Sequence, residues 1–200
     1  MRRAHAFTLG ATAALALSAA GAVHGYQTYA KWPTSIAWFY VNPANADVSA
    51  SAAIAAVQTG MDVWNWAGTP FRVNYGGRVG DTAIKFDHRN VVIFRPNYSS
   101  GSTIASTYTW WDSSKRLLDA DVTFYTTDWT FHVGTSGCSG SRHIYIEDIT
   151  AHEFGHAIGV THSNVANATM YPSTTSCSQA WRTLASDDIA AARSLYGTSR

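Results

Sequence analysis

Eleven consecutive residues, His152-Glu153-Phe154-Gly155-His156-Ala157-Ile158-Gly159-Val160-Thr161-His162, constrain this chain more than any other stretch of it. On a helix, residues four apart lie one turn on and about 40° round, so His152 and His156 can offer nitrogens to one ion at ~2.0–2.1 Å. Glu153 sits about 100° further round the axis, beside that ion but too far round to be its natural third ligand. His162 is ten positions beyond His152, and a continuous helix would carry it ~15 Å along the axis and out of reach. The helix must therefore stop and the chain turn back. Gly159, free to take a positive φ, is where that reversal costs least. Three imidazoles leave a fourth position for water, the pattern of a catalytic zinc site; structural sites are closed and mostly thiolate-rich.

Chance does not account for the spacing. With 8 His, 2 Glu and 15 Gly in 200 residues, H-E-x-x-H-x-x-G-x-x-H arises at random on the order of once in 10⁵ such chains. The remaining composition, 46% hydrophobic, 13% aromatic and 14% charged, is that of one globular domain and excludes a disordered chain. Fourteen Lys+Arg against 13 Asp+Glu give a net +1. That balance provides no footprint for a phosphate backbone or an anionic membrane, so a nucleic-acid partner is not expected.

Residues 1–25 read as a secretory signal peptide, with Arg2 and Arg3, an Ala/Leu-rich run from Ala6 to Val23, and small residues up to a cut near Ala22 or Gly25. The run is too rich in Ala, Gly, Ser and Thr for a transmembrane helix, and no later stretch would span a bilayer. Residues 26–200 then form a single secreted, extracellular domain. In an oxidising destination Cys138 and Cys177 are expected to form a disulfide bond, since neither lies in a C-x-x-C spacing. A pair of free thiols, or Cys138 as a latency ligand of the zinc, are the alternatives.

Asp47 to Trp66 places Val48, Ile54, Val57, Met61 and Trp64 at helical steps, with Asp47 or Ser49 as N-cap. The β-branched and aromatic runs SIAWFYV, FRVNY, TAIKF, NVVIF, TIASTYTWW and DVTFYTT read as strands. Gly134 to Ser141 is a loop, and a last helix spans Ser186 to Tyr196, with Ser186 as cap and Ile189, Ala192, Leu195 and Tyr196 on one face. The fold class is α+β, a mixed sheet packed on helices.

The motif, followed eight residues later by Asn167-Ala168-Thr169-Met170-Tyr171-Pro172, resembles the metzincin zinc metallopeptidases, and the Met-Tyr-Pro form is similar to their matrixin branch, which includes matrix metalloproteinases and bacterial relatives. Leu184 to Ile189, Leu195-Tyr196-Gly197, Lys31-Trp32-Pro33 and Asp121 to Phe124 resemble the same family more weakly. The resemblance implies a zincin fold: a twisted mixed sheet on helices, the zinc-site helix, then a smaller irregular part with a Met-turn and a final helix. It implies that His152, His156 and His162 bind one catalytic zinc, that Glu153 is the general base, and that Met170 floors the metal site. Pro172, Ser173 and Thr174 would wall the substrate pocket, although matrixins usually place Tyr at the third of these positions. The upstream cysteine of a thiol-switch propeptide and the His-x-Asp cluster of a second zinc are both missing.

His88, His132 and His143 read as structural or solvated, and packing is the expected role of Trp110 and Trp111. Asp81, Asp119, Asp121 and the Asn74 to Gly80 loop are candidate calcium ligands that match no EF-hand spacing. The expected function is a monomeric, secreted zinc-dependent endopeptidase acting on proteins or peptides. A zinc-holding binding protein and a hydrolase of non-protein amides are the rivals, and the intact Glu153 argues against the first.

Overall fold

The computed structural model describes residues 3–10, 25–96 and 101–199. Residues 11–24 of the expected leader, including the candidate cut at Ala22, lie outside the described residues. The elements in chain order are β1 (Arg3–Gly10), β2 (Ile36–Asn42), α1 (Ala50–Asn65), β3 (Arg72–Arg78), β4 (Asn90–Arg95), β5 (Thr103–Trp111), β6 (Leu117–Tyr125), β7 (Thr130–His132), β8 (His143–Tyr145), α2 (Ile146–Ala157) and α3 (Ser186–Tyr196). The main sheet has the order β1-β5-β6-β4-β2-β3, while β7 and β8 form a separate parallel pair. Strands β2, β3, β4 and β6 run parallel, and β5 is antiparallel to both β6 and β1.

The burial of each strand follows its place in the sheet. Internal β4 is buried from Asn90 to Phe94, the near-continuous apolar run of a parallel strand covered on both faces. Strand β2 instead alternates: Ala37, Phe39 and Val41 are buried, while Ile36 and Trp38 are exposed. Strand β1 lies backbone to backbone along the outer edge of β5, from Arg3 opposite Trp111 to Gly10 opposite Thr103.

Helix α1 packs on α2 through a face that hydropathy alone misplaces. Val57, Met61 and Trp64 are buried as the periodicity predicts, but Ala53, Ala56 and Gly60 complete the stripe and Ile54 is only half-buried. The reason is close approach. A Cβ at Gly60 would stand 2.5 Å from the Thr150 side chain and 2.6 Å from the Glu147 carbonyl oxygen, so the contact demands the smallest residues. Ser49 caps α1 by accepting from the Ala52 N–H at 3.3 Å. Asp47, the other cap candidate, instead accepts from the Phe131 N–H at 2.9 Å.

Two further expectations are corrected. Thr82 to Phe86 form no strand: the Asp121 carboxylate takes the Lys85 N–H at 3.0 Å, and just beyond the segment that of Asp119 takes the Asp87 and His88 N–H groups at 2.8 and 2.6 Å. Helix α3 begins at Ser186 with Ala185 as its N-cap, and its buried face is Asp187, Asp188, Ala191 and Ala192. Ile189, Leu195 and Tyr196 are half-buried. No helix among the described residues is long and apolar enough to cross a membrane.

Candidate active site

All twelve residues of α2 are buried, between α1 and the sheet. A helix that ends in the interior must find partners for its last carbonyls. Here they come from aromatic donors: Tyr29 Oη–H to His156 O at 2.5 Å, Trp32 Nε1–H to Ala157 O at 2.9 Å and Tyr196 Oη–H to Ile158 O at 2.7 Å. The Lys31-Trp32-Pro33 segment thus has a structural task at the end of this helix. Just beyond it Gly159 takes φ 104° and reverses the chain, with its N–H bonded to His156 O and its carbonyl accepting from the Tyr29 N–H.

The reversal brings His162 to the other two histidines. Ring centroids of His152, His156 and His162 lie 4.8–5.3 Å apart, and one ligating atom from each falls within 4.8 Å of the others. His152 Nδ1 lies 2.7 Å from the Thr169 carbonyl oxygen and His156 Nδ1 lies 2.8 Å from that of Val160. A carbonyl only accepts, so each Nδ1 carries the proton and each Nε2 presents its lone pair. The Nε2 atoms of His152 and His162 are buried without a hydrogen-bond partner. Burial pushes the pKa of His152 down to about 3, helped by His162, and depresses His156 and His162 as well. The neutral ring is the form that binds a metal. Two orphaned, buried lone pairs on a converging three-imidazole set are what a tetrahedral zinc with one open position would satisfy.

Glu153 is fully buried beside this trio and does not belong to it. One carboxylate oxygen, Oε2, accepts from the Thr107 hydroxyl at 2.6 Å, and the other, Oε1, is buried without a partner. Burial raises its pKa to about 8, against the lowering effect of the Thr107 bond. In the metal-free protein burial thus favours the protonated carboxyl, and a cation held beside it would favour the carboxylate.

Met170 is fully buried and packs where α2 has no side chain: a Cβ on Gly155 would stand 2.0 Å from the Met170 sulfur and 2.7 Å from Trp64. The turn carrying it is held by Asp188, whose carboxylate accepts from the Thr169 and Met170 N–H groups at 2.8 and 3.1 Å. Asp187 accepts from the Ser163 hydroxyl at 2.7 Å, and from the Gly25 N–H at 2.9 Å in the full chain, so the acidic start of α3 ties the turn and the His162 segment together. Sequence reasoning noted these aspartates only as part of a helix. It also missed Trp181, which stacks on the His152 ring at 4.7 Å and is placed by Asp148, acceptor from the Trp181 N–H at 3.2 Å and the Arg182 Nε–H at 2.7 Å.

The expected pocket wall follows Met170 on the irregular segment: Pro172 is exposed, and Ser173 and Thr174 are half-buried. Cys138 and Cys177 form a disulfide across 39 positions, joining this segment to the Gly134 to Ser141 loop. The same junction holds the Cys177 N–H to His143 O bond at 2.8 Å and the 2.7 Å contact of His132 Nε2 with His143 Nδ1. Chain entropy over such a loop contributes about 4 kcal/mol as an upper value. The double variant Cys138→Ser, Cys177→Ser should therefore lose activity at a clearly lower temperature than the parent; equal half-lives on heating would show that the bridge does not support the site.

Of the acidic residues considered for calcium, each carboxylate has a protein partner, and Asp119 Oδ1 is buried without one of its own. Asp81 lies 3.4 Å from Arg89, and Asp119 and Asp121 anchor the 85–91 segment. Among the described residues, His152, His156 and His162 are the group whose ligating atoms converge. Trp111 is buried and Trp110 half-buried, in line with packing.

Comparison with known proteins agrees with this geometry. Residues 31–197 match the sequence profile of the family described as Matrixin. The chain is 25% identical over 168 residues to matrix metalloproteinase-20 of Homo sapiens, covering 84% of this chain and 32% of that protein. It is 42% identical over 65 residues to the hatching enzyme of Paracentrotus lividus, 32% of this chain and 11% of the relative. It is 45% identical over 49 residues to matrix metalloproteinase-27 of Tupaia belangeri, 24% of this chain and 10% of the relative. The aligned region thus spans a third or less of each of these relatives.

Proposed function

This chain belongs to the matrixin family, and on that premise we propose that it is a secreted zinc-dependent endopeptidase in which His152, His156 and His162 hold the metal and Glu153 is the general base. The observation that carries the reading is the convergence of three neutral imidazoles beside a buried carboxylate with one free oxygen. When bound, zinc supplies the Lewis acidity that makes water nucleophilic near neutral pH and polarises the scissile carbonyl. Glu153 takes a proton from the attacking water as the C–O bond forms, and returns it to the nitrogen as the C–N bond breaks. Burial raises its carboxyl pKa in the metal-free protein, which favours holding the proton between the two transfers, while a cation beside it favours the carboxylate that takes the proton first. Met170 and Trp181 exclude solvent from beneath and beside the imidazoles, and Pro172, Ser173 and Thr174 border the site of the substrate side chain.

Export fits the same reading. Removal of residues 1–25 as a signal peptide would take β1 away from β5 and uncover a strand edge next to Glu153, where an extended peptide can add backbone hydrogen bonds. The test uses purified residues 26–200 loaded with zinc and incubated with a denatured protein mixture, with and without a chelator, the cuts being mapped by mass spectrometry. New termini that vanish with chelator and return with added zinc are expected. An unchanged mixture would refute the endopeptidase reading, and cleavage indifferent to chelator would refute the metal's role.

A further inference from the structure

Strand β5 presents short side chains to α2. Ala105, Thr107 and Thr109 are all fully buried, at alternate positions of one strand. The two threonines do different work. The Thr109 hydroxyl lies 3.2 Å from the hydroxyl of Tyr29, whose one hydrogen goes to the end of α2 at His156 O. The Thr107 hydroxyl lies 2.6 Å from Glu153 Oε2 and 3.0 Å from the Glu153 carbonyl oxygen. A hydroxyl has one hydrogen to donate, and the shorter contact is to the carboxylate.

We propose that Thr107 is the positioning residue of the general base: its hydroxyl anchors Glu153 Oε2 so that Oε1 is the oxygen left to exchange a proton with water. This rests on the reading of Glu153 as the base. Among the described residues Thr107 is the hydrogen-bond partner of the carboxylate, and it is delivered by the sheet rather than by the helix that carries Glu153. A carboxylate turning about its terminal torsion has a broad, two-fold preference, so a buried carboxylate without an anchor would not keep one oxygen aimed at the reaction. The backbone of Thr107 is fixed in the β5–β6 ladder opposite Val122, which gives the hydroxyl a rigid origin.

The variant to make is Thr107→Val, which keeps the shape and removes the hydrogen bond. With zinc at about one per chain, kcat should fall about 10–100-fold and KM should stay within about twofold, the usual effect of removing a group that orients an active residue. Thr107→Ser should restore kcat to within about threefold of the parent. A readout independent of turnover is available because Glu147 and Glu153 are the chain's two glutamates. In metal-free protein labelled with ¹³Cδ-glutamate, the Glu153 carboxylate resonance should shift in Thr107→Val and return in Thr107→Ser, with that of Glu147 unmoved. Thr107→Ala serves the same comparison with Thr107→Ser if the valine variant does not fold. Parental kcat in the valine or alanine variant, or a serine variant as slow as they are, would overturn the proposal. Parental turnover in Glu153→Gln would instead remove the base itself, so the two failures are distinguishable.

Discussion

Glu153→Gln should keep about one zinc per chain and lose peptide hydrolysis by on the order of 10²–10⁴-fold, the span of a general acid–base contribution. The substitution preserves volume in a fully buried position and leaves an oxygen for the Thr107 hydroxyl. The metal should be retained because Glu153 lies outside the converging trio, in which His152 and His156 are oriented by carbonyls of Thr169 and Val160 rather than by this carboxylate. What the amide cannot do is take a proton from water and give it to a leaving nitrogen. Zinc content by atomic emission and turnover on a cleaved peptide decide the matter together. Hydrolysis at the parental rate would overturn the assignment of the base, and loss of zinc would show that Glu153 helps to hold the metal.

Gly159→Val should abolish both zinc retention and activity while leaving all three histidines in place. Gly159 has φ 104°, a region that β-branched residues adopt only under strain, and its Cβ would stand 1.9 Å from the Ala30 carbonyl oxygen. That oxygen belongs to backbone in the 28–31 segment, itself paired with Gly159 through the Tyr29 N–H. It has no flexible side chain to move aside. Relief requires either unpairing that segment or unwinding the turn, and each removes His162 from the other two rings. His162→Ala is the comparison, since it removes the third ligand without touching the turn, and it should lose zinc to a similar extent. A Gly159→Val protein with full zinc and activity would mean that the reversal does not place His162.

The helix, the turn and the three histidines were legible because their geometry is local. An i, i+4 pair on a helix and a glycine three residues before the third ligand encode positions through backbone geometry that any helix imposes. The disulfide was legible for a different reason, the even count of cysteines in a chain read as exported. Strands with strong β-branched content were recognised where the ladder really forms, in β2, β3, β4, β5 and β6. Thr82 to Phe86 has the same composition, but the Asp119 and Asp121 carboxylates take backbone donors of the segment that follows from Lys85. Whether an N–H meets a strand or a side chain is set by what lies across from it in space.

The same holds for the residues that complete the site. Thr107 is 46 positions from Glu153, Trp181 is 29 positions from His152, and the aromatic donors that close the end of α2 come from both ends of the described domain. A threonine in a strand, a tryptophan in a polar segment and two adjacent aspartates at a helix start are ordinary by themselves, and nothing in their neighbours marks their partners. By itself the sequence determined the spacing of three imidazoles that could hold a metal and the place where the helix must break, because each follows from backbone geometry over a few residues. Only the tertiary structure decided which oxygen of Glu153 is free, which carbonyls orient the imidazoles and which side chains bury them, because hydrogen bonds and ring contacts between distant segments depend on how the sheet and helices pack.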